Sequence, residues 1–308
     1  MTETLYLKYR PETFKQVIGH AAIVRSLQGV LEKKTNHTFM LSGPSGTGKT
    51  TLARIAATTL GCAPSDVQEI DAATFTGIDD MRGITAALHY RPLGESASKV
   101  IIIDECQALT KAAWQSLLKS LEEPPAWVYW FLCTTDPAKV PANIQTRCTK
   151  YELKPVALRD IEDLLFAIYE DEKMDCPEDV VILCAKEAQG SPRAALVNLG
   201  ACAGAKDKRE ALELLQSAAE SNEAVELARA LVAGKPWETI KGILTGLEGQ
   251  NAESVRHVVR AYVTKVIMGS NGKGMPKNFA ILEAFGKPFP AGDGISPLLL
   301  AVGELLFA

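Results

Sequence analysis

The sequence lacks the residue patterns that would make it a disulfide-held, zinc-bound or membrane-spanning chain. Its seven cysteines, Cys62, Cys106, Cys133, Cys148, Cys176, Cys184 and Cys202, are odd in number and include no C-x-x-C. Most sit in apolar runs, which reads as buried thiols of a reducing compartment and excludes a disulfide frame or a zinc module. The four histidines, His20, His37, His89 and His257, are scattered without metal-ligand spacing. No apolar run reaches the roughly 20 residues of a membrane span, and no signal peptide opens the chain. A cytoplasmic protein with no membrane partner is expected. Positive charge is not in excess: 33 Lys and Arg face 37 Asp and Glu, a net charge of −4. That removes a global footprint for nucleic acid but leaves room for a local basic stripe. Low-complexity tails and internal repeats are also missing.

The remainder is ordinary globular material, 47% hydrophobic and 23% charged over 308 residues. Length alone predicts about two or three domains. The stretch Gly43-Pro44-Ser45-Gly46-Thr47-Gly48-Lys49-Thr50 matches G-x-x-x-x-G-K-[ST], a phosphate-cradling loop. Thr38 to Ser42 before it reads as a buried strand, and Thr51 to Ala57 after it as a helix, the context the motif requires. Glycines let backbone N–H groups turn onto phosphate oxygens, and the helix adds its positive end. Lys49 is placed to reach the β- and γ-phosphates of ATP, and Thr50 to hold Mg²⁺. Pro44, Ser45, Gly46, Thr47, Gly48 and Thr51 complete the phosphate-binding set.

Residues 5–19, with Arg10-Pro11 and Gly19, read as a shaped loop rather than a regular element. Ala21 to Leu31 reads as an amphipathic helix with Ile23, Leu27, Val30 and Leu31 on one face. Further strands are expected at Val67–Asp71, Val100–Ile103, Val128–Cys133 and Lys150–Leu153, the second uniformly β-branched as suits a strand buried on both faces. Helices at Asp79–Leu88 and Lys111–Leu121, and a turn near Pro141–Gln145, alternate with them, so the class is α/β with a parallel sheet of five strands. Beyond Leu153 only helices are predicted: Ile161–Tyr169 with Asp160 as its cap, Glu178–Ala188, Pro192–Cys202, Glu210–Ala219, Ala224–Val232 and Glu253–Met268. The expected domains are 1–154, 155–206 and 207–308.

Chemistry gathers at strand ends. Asp104-Glu105 closes the β-branched strand as a Walker B pair, Asp104 supporting Mg²⁺ through its water shell and Glu105 polarising the attacking water. Thr135, at the end of the neighbouring strand, can hold that water or sense the γ-phosphate; the plainer reading is a local bond at a strand end. Arg147 fits a finger given in trans to a neighbouring subunit, where guanidinium neutralises transition-state charge; the plainer reading is a surface arginine. Pro192-Arg193 opens a helix from which Arg193 can fold back onto nucleotide in the same chain.

The order of these motifs resembles that of the AAA+ ATPases. Finer strings are similar to sliding-clamp loader subunits: Leu7 to Phe14 with Val17-Ile18-Gly19-His20, Glu69 to Ala73 with Gly77 to Arg82, and Leu117 to Pro125. Thr134 to Pro137, Thr146-Arg147-Cys148 and Gly190 to Leu196 resemble the sensor and arginine motifs of the bacterial gamma/tau subunit. Three departures stand out. No cysteine-rich zinc module lies between the loop and Asp104, Gln107 fills the fourth position of the Walker B box, and Thr146 replaces the usual serine.

The resemblance implies an AAA+ P-loop domain followed by a small helical lid and a helical collar. It implies an ATPase subunit of a clamp loader in a phage or bacterial replisome. Such a subunit works in a hetero-pentamer with a sliding clamp and primer–template DNA. ATP binding opens the clamp, and hydrolysis closes it on DNA. Adenine would lie on Tyr9, Arg10, Pro11, Val17 and Ile18. Thr76 and Arg82, at a helix start, would meet DNA phosphates without reading sequence, while Asp79 and Asp80 leave an acidic helix cap as the other reading. The tip Leu88-His89-Tyr90-Arg91-Pro92 either docks on the clamp or packs in the core. The alternative from another class is a hexameric AAA+ helicase or remodelling motor. Against it stand a helical final third without a winged-helix strand pair and no identifiable aromatic pore loop.

Overall fold

The computed structural model describes residues 4–72, 74, 78–92, 96–250, 252–269, 275–289 and 294–307, without the side chains of 78–80 and 216–222. These form two compact units, Met1–Lys208 and Arg209–Ala308. The first holds five strands: β1 (Thr38–Ser42), β2 (Val67–Asp71), β3 (Lys99–Asp104), β4 (Val128–Thr134) and β5 (Thr149–Glu152). Their order in the sheet is β2-β3-β4-β1-β5, and every pairing is parallel.

Alternation along the strands explains both faces. Val100 and Ile102 of β3, with Tyr129 and Phe131 of β4 and Phe39 and Leu41 of β1, enter one apolar core. Ile101 and Ile103, Trp130 and Leu132, and Met40 enter the other. A period of two with apolar residues at both phases is what a parallel sheet covered on both sides demands. Phe39 and Phe131 stack across β1 and β4 with centroids 4.9 Å apart. Helices α2 (Ala21–Lys33) and α3 (Lys49–Thr59) cover the first face, and α4 (Ile78–Ala87) and α5 (Lys111–Glu122) the second. On α2 the buried residues are Val24, Leu27 and Leu31. Ile23 and Val30 only flank them, so the buried face is turned by about one residue from the sequence reading.

The opening segment is more regular than expected. Leu5–Lys8 forms the short helix α1, and a 3₁₀ turn at Phe14–Gln16 carries a capping box between Thr13 and Gln16. The turn near Pro141 is the helical α6 (Ala142–Gln145). Three helices complete the unit: α7 (Leu158–Asp171), α8 (Glu178–Glu187) and α9 (Pro192–Ala201). Asp160 does not cap α7; Ala157 is the N-cap residue, and Asp160 lies inside the first turn, where a carboxylate favours the helix dipole instead. On α9 Ser191 caps by accepting from the Ala194 N–H at 3.2 Å, and Pro192 sits in the first turn.

The second unit is helical among its described residues. Its helices are α10 (Lys208–Ala233), α11 (Trp237–Gly246), α12 (Ala252–Gly269), α13 (Met275–Ala284) and α14 (Ser296–Phe307). The two helices expected between Glu210 and Val232 are one continuous helix, because no glycine or proline interrupts that stretch. Leu227, Leu244, Val259, Phe285 and Val302 share its core. Arg256 is buried there, its Nη1 donating to the Phe285 carbonyl at 3.1 Å.

Candidate functional site

Parallel register brings the strand ends to one edge. Ser42 lies opposite Thr134, Asp71 opposite Asp104, and Ile103 opposite Leu132. The loops leaving β1, β3 and β4 are therefore side by side at the carboxyl edge, the usual ligand edge of an open α/β sheet. The phosphate loop leaves β1, and Gly43 N–H donates to the Thr134 carbonyl at 3.2 Å. Gly43, Gly46 and Gly48 all have positive φ, at 144°, 74° and 101°. At Gly43 a Cβ would lie 2.2 Å from the Leu153 carbonyl oxygen, so the close approach of backbone demands glycine.

A cleft of about 1020 Å³ opens beside the loop. Its floor is Ser45 to Thr51 and the first turn of α3; its walls come from the opening segment, α7 and α9. That volume is ample for a nucleotide. Tyr9, Arg10, Pro11, Val17 and Ile18 line it, as do Pro192 and Arg193, Asp104 and Glu105. Pro44 does not line it, but its carbonyl oxygen accepts from Lys49 Nζ at 2.9 Å; the Gly43 carbonyl accepts at 2.8 Å. The Lys49 side chain is thus folded over its own loop. Burial lowers its ammonium below the ordinary lysine value, and the carboxylates of Glu105 and Asp104 oppose the shift.

Thr50 Oγ1 donates to Asp104 Oδ2 at 2.7 Å. Among the described residues no cluster of three or more His, Cys, Asp or Glu is arranged to hold a metal. A hydroxyl beside one carboxylate suits a magnesium ion that keeps most of its ligands as water and phosphate oxygen, so the donor set fits Mg²⁺. Glu105 sits in the left-handed region at φ 48°. Its Oε2 accepts from Gln107 Nε2 at 2.5 Å and from Thr135 Oγ1 at 3.0 Å. Thr135 is therefore joined to the cleft through Glu105 without lining it.

The second wall adds cations and a strap. Arg193 lies over the Tyr6 ring, 5.1 Å from Cζ to centroid. Tyr9 donates its hydroxyl to Asp171 and, at 2.7 Å, to Glu172 at the end of α7; Lys8 Nζ bonds Glu172 at 2.6 Å. The hydrogen bond to Asp171, burial and the flanking carboxylates raise the Tyr9 phenol far above its ordinary value. Arg10 Nε donates to Thr51 Oγ1 at 3.2 Å, and burial, with Arg54 nearby, lowers its guanidinium.

Sequence reasoning missed several lining groups. Arg54 makes a two-point pair with Glu69, at 2.6 and 2.7 Å, and both line the cleft, as do Tyr6, Leu164 and Leu196. Arg54 comes five positions after Lys49 on α3, but the helix signal alone gives it no partner. The α7 and α9 residues carry only ordinary amphipathic spacing.

Other expected residues stand apart. Arg147 does not line the cleft; its guanidinium bonds Glu122 and the Asn143 carbonyl. Arg82 is exposed on α4 and also lies outside the cleft, while Thr76 falls outside the described residues. At the tip after α4, Leu88 is buried and Tyr90 is 73% exposed.

The family model for the DNA polymerase III delta subunit matches residues 64–157. The tau subunit of Bacillus subtilis is 36% identical over 216 residues, covering 63% of this chain and 38% of that protein. The tau subunit of Escherichia coli is 30% identical over 286 residues, covering 80% and 44%, and the gamma/tau subunit of Mycobacterium tuberculosis 33% over 273, covering 79% and 47%. The chain thus spans less than half the length of these relatives. Among solved structures, the RuvB Holliday junction branch migration motor of Thermotoga maritima superposes with a TM-score of 0.56 at 18% identity, over 84% of this chain and 91% of that one. That likeness is one of fold.

Proposed function

We propose that this chain, a gamma/tau-like member of the AAA+ ATPases, binds and hydrolyses ATP as a clamp loader subunit in DNA replication. The observation that carries the reading is one cleft lined by the phosphate loop, Asp104, Glu105 and Arg193.

The mechanism uses these residues in place. Loop N–H groups and the start of α3 receive the phosphates. Lys49 gives up the Gly43 and Pro44 carbonyls for phosphate oxygens, a stronger charge-assisted bond. Thr50 and Asp104 would hold Mg²⁺, which when bound neutralises phosphate charge. Glu105 orients the attacking water, and Thr135, bonded to Glu105, holds that water or senses the terminal phosphate. Arg193 approaches from α9, so the set of the lid depends on nucleotide. Arg147, turned away from its own cleft, acts on a neighbouring subunit. Adenine lies against the opening segment, where Pro11, Val17 and Ile18 give an apolar slot.

On this reading the partners are a sliding clamp, primer–template DNA and other loader subunits, with DNA phosphates met by Thr76 and Arg82. The RuvB-like fold keeps the helicase motor as a second reading. The all-helical second unit, among its described residues, supports the loader instead. The test is Lys49→Ala: ATP binding by calorimetry should fall at least about a hundredfold, as loss of a buried charged contact implies. Unchanged affinity would remove the phosphate-loop assignment. A native mass of the assembly with bound ATP analogue separates a five-membered mixed complex from a ring of six identical chains.

A further inference from the structure

We infer that Gln107 is a positioning residue that ties Glu105 to Thr135, so that one hydroxyl proton reports the terminal phosphate to the carboxylate. The inference rests on the ATPase reading above. It starts from the departure in the Walker B box, whose fourth position is Gln107.

Gln107 Nε2 donates to Glu105 Oε2 at 2.5 Å and to Thr135 Oγ1 at 3.0 Å. Thr135 Oγ1 sends its own proton to the same Glu105 oxygen, at 3.0 Å. On the far side of the amide, Thr134 Oγ1 donates to Gln107 Oε1 at 2.6 Å. The Thr134 hydroxyl already accepts from the Asp136 N–H at 3.0 Å, and Thr134 is fully buried. Its proton therefore needs an acceptor inside the protein, and Gln107 Oε1 is that acceptor. This fixes the amide: its carbonyl faces Thr134 and its NH₂ faces Glu105. The backbone adds a second constraint, because Glu105 is held at φ 48° with its N–H donating to Asp104 Oδ1 at 3.1 Å.

Thr135 has one proton to give. While Glu105 takes it, Glu105 Oε2 is filled by two donors and is poorly placed to accept from water. A terminal phosphate oxygen carries more charge and competes for that proton. When it wins, Gln107 remains as the single donor that orients Glu105, still anchored by buried Thr134. ADP, without the terminal phosphate, leaves the triangle closed. Neither Gln107 nor Thr135 lines the cleft, so Gln107 acts on the substrate through Glu105, and the Thr135 hydroxyl is engaged only when a terminal phosphate draws its proton from Glu105.

The experiment records ¹⁵N–¹H spectra of the full chain, with the Gln107 side-chain NH₂ pair assigned by its loss in Gln107→Leu. Gln107→Glu, which keeps side-chain length and the acceptor for Thr134, serves if the leucine variant does not fold. A non-hydrolysable ATP analogue with magnesium should move the pair, ADP with magnesium should leave it near its free position, and Thr135→Val should erase the difference. Equal responses to the two nucleotides, or a difference that survives Thr135→Val, overturns the inference. Loss of perturbation at the loop glycines by both nucleotides would instead sink the ATPase reading itself. In turnover assays Gln107→Glu should lower kcat about tenfold, a modest part of general-base catalysis, with KM for ATP within about twofold. Unchanged or raised kcat, or a matching rise in KM, also overturns it.

Discussion

Gly46 measures how little room the phosphate loop leaves. Its φ is 74°, and a Cβ there would lie 2.1 Å from Ser191 Oγ, the cap of α9. At Gly43 the obstacle is the Leu153 carbonyl, at 2.2 Å. A hydroxyl can rotate away and a strand-end carbonyl cannot, so Gly43→Ala should destabilise more than Gly46→Ala. Positive φ alone costs about 1 kcal/mol for an L side chain, and the clash adds to it. Urea unfolding of both variants checks the order; equal midpoints would refute it. In the second unit the informative residue is Glu253. Bonds from Arg256 and the Phe289 N–H hold its carboxyl down to about 2 from an ordinary 4.5. Because the folded value is the lower one, this contribution is complete above the ordinary value and is lost as pH falls toward the folded one. Glu253→Gln should flatten the acid loss of stability of the chain between about pH 4.5 and 2, measured by urea unfolding across that window. A wild-type slope in the variant would place the acid sensitivity elsewhere.

Among elements, α1 and α7 form the strap over the cleft. Their bonds, Lys8 to Glu172 and Tyr9 to Asp171 and Glu172, are largely solvent-exposed, and such pairs contribute about 0–1 kcal/mol to stability. Their effect should therefore appear in kinetics rather than in folding. Tyr9→Phe with Glu172→Gln should leave the unfolding midpoint nearly unchanged. The same pair should speed nucleotide release about three- to tenfold, the scale of one or two weak contacts. Stopped-flow release of a fluorescent ATP analogue tests this, and an unchanged off-rate would show that the strap does not gate the cleft. Elements also mark where pattern reading reached its limit. The strands were legible because their apolar runs are short and bounded. α1 was not, since four residues carry no periodicity, and α10 read as two helices because polar Glu220-Ser221-Asn222 interrupts its apolar spacing without breaking its backbone.

Each unit of the chain has its own core, and every lining residue of the cleft belongs to the first. A chain of residues 1–208 should bind an ATP analogue within about threefold of the full chain, a difference under about 1 kcal/mol. Much weaker binding by calorimetry would make the second unit part of the site. On the proposed function Arg147 acts at a larger scale still. It is paired with Glu122, away from its own cleft, so Arg147→Ala should leave ATP binding intact and abolish hydrolysis in the assembly. Mixing it with a Glu105→Gln chain that keeps its finger should restore part of the activity. No rescue would count against action in trans.

Local sequence was enough for the class of fold and for which residues meet at the strand-end side of the cleft. Lys49, Thr50, Asp104 and Glu105 were readable because a backbone cradle and a strand-end carboxylate need fixed residue types at fixed local spacing. The remaining parts of the site came from tertiary packing. The Arg54–Glu69 pair, Tyr6 over Arg193, the α7 wall and the Gln107 triangle join residues distant in the chain. Which of many polar side chains meet depends on strand order and register, and those are set by how two apolar cores close on one sheet rather than by any local pattern.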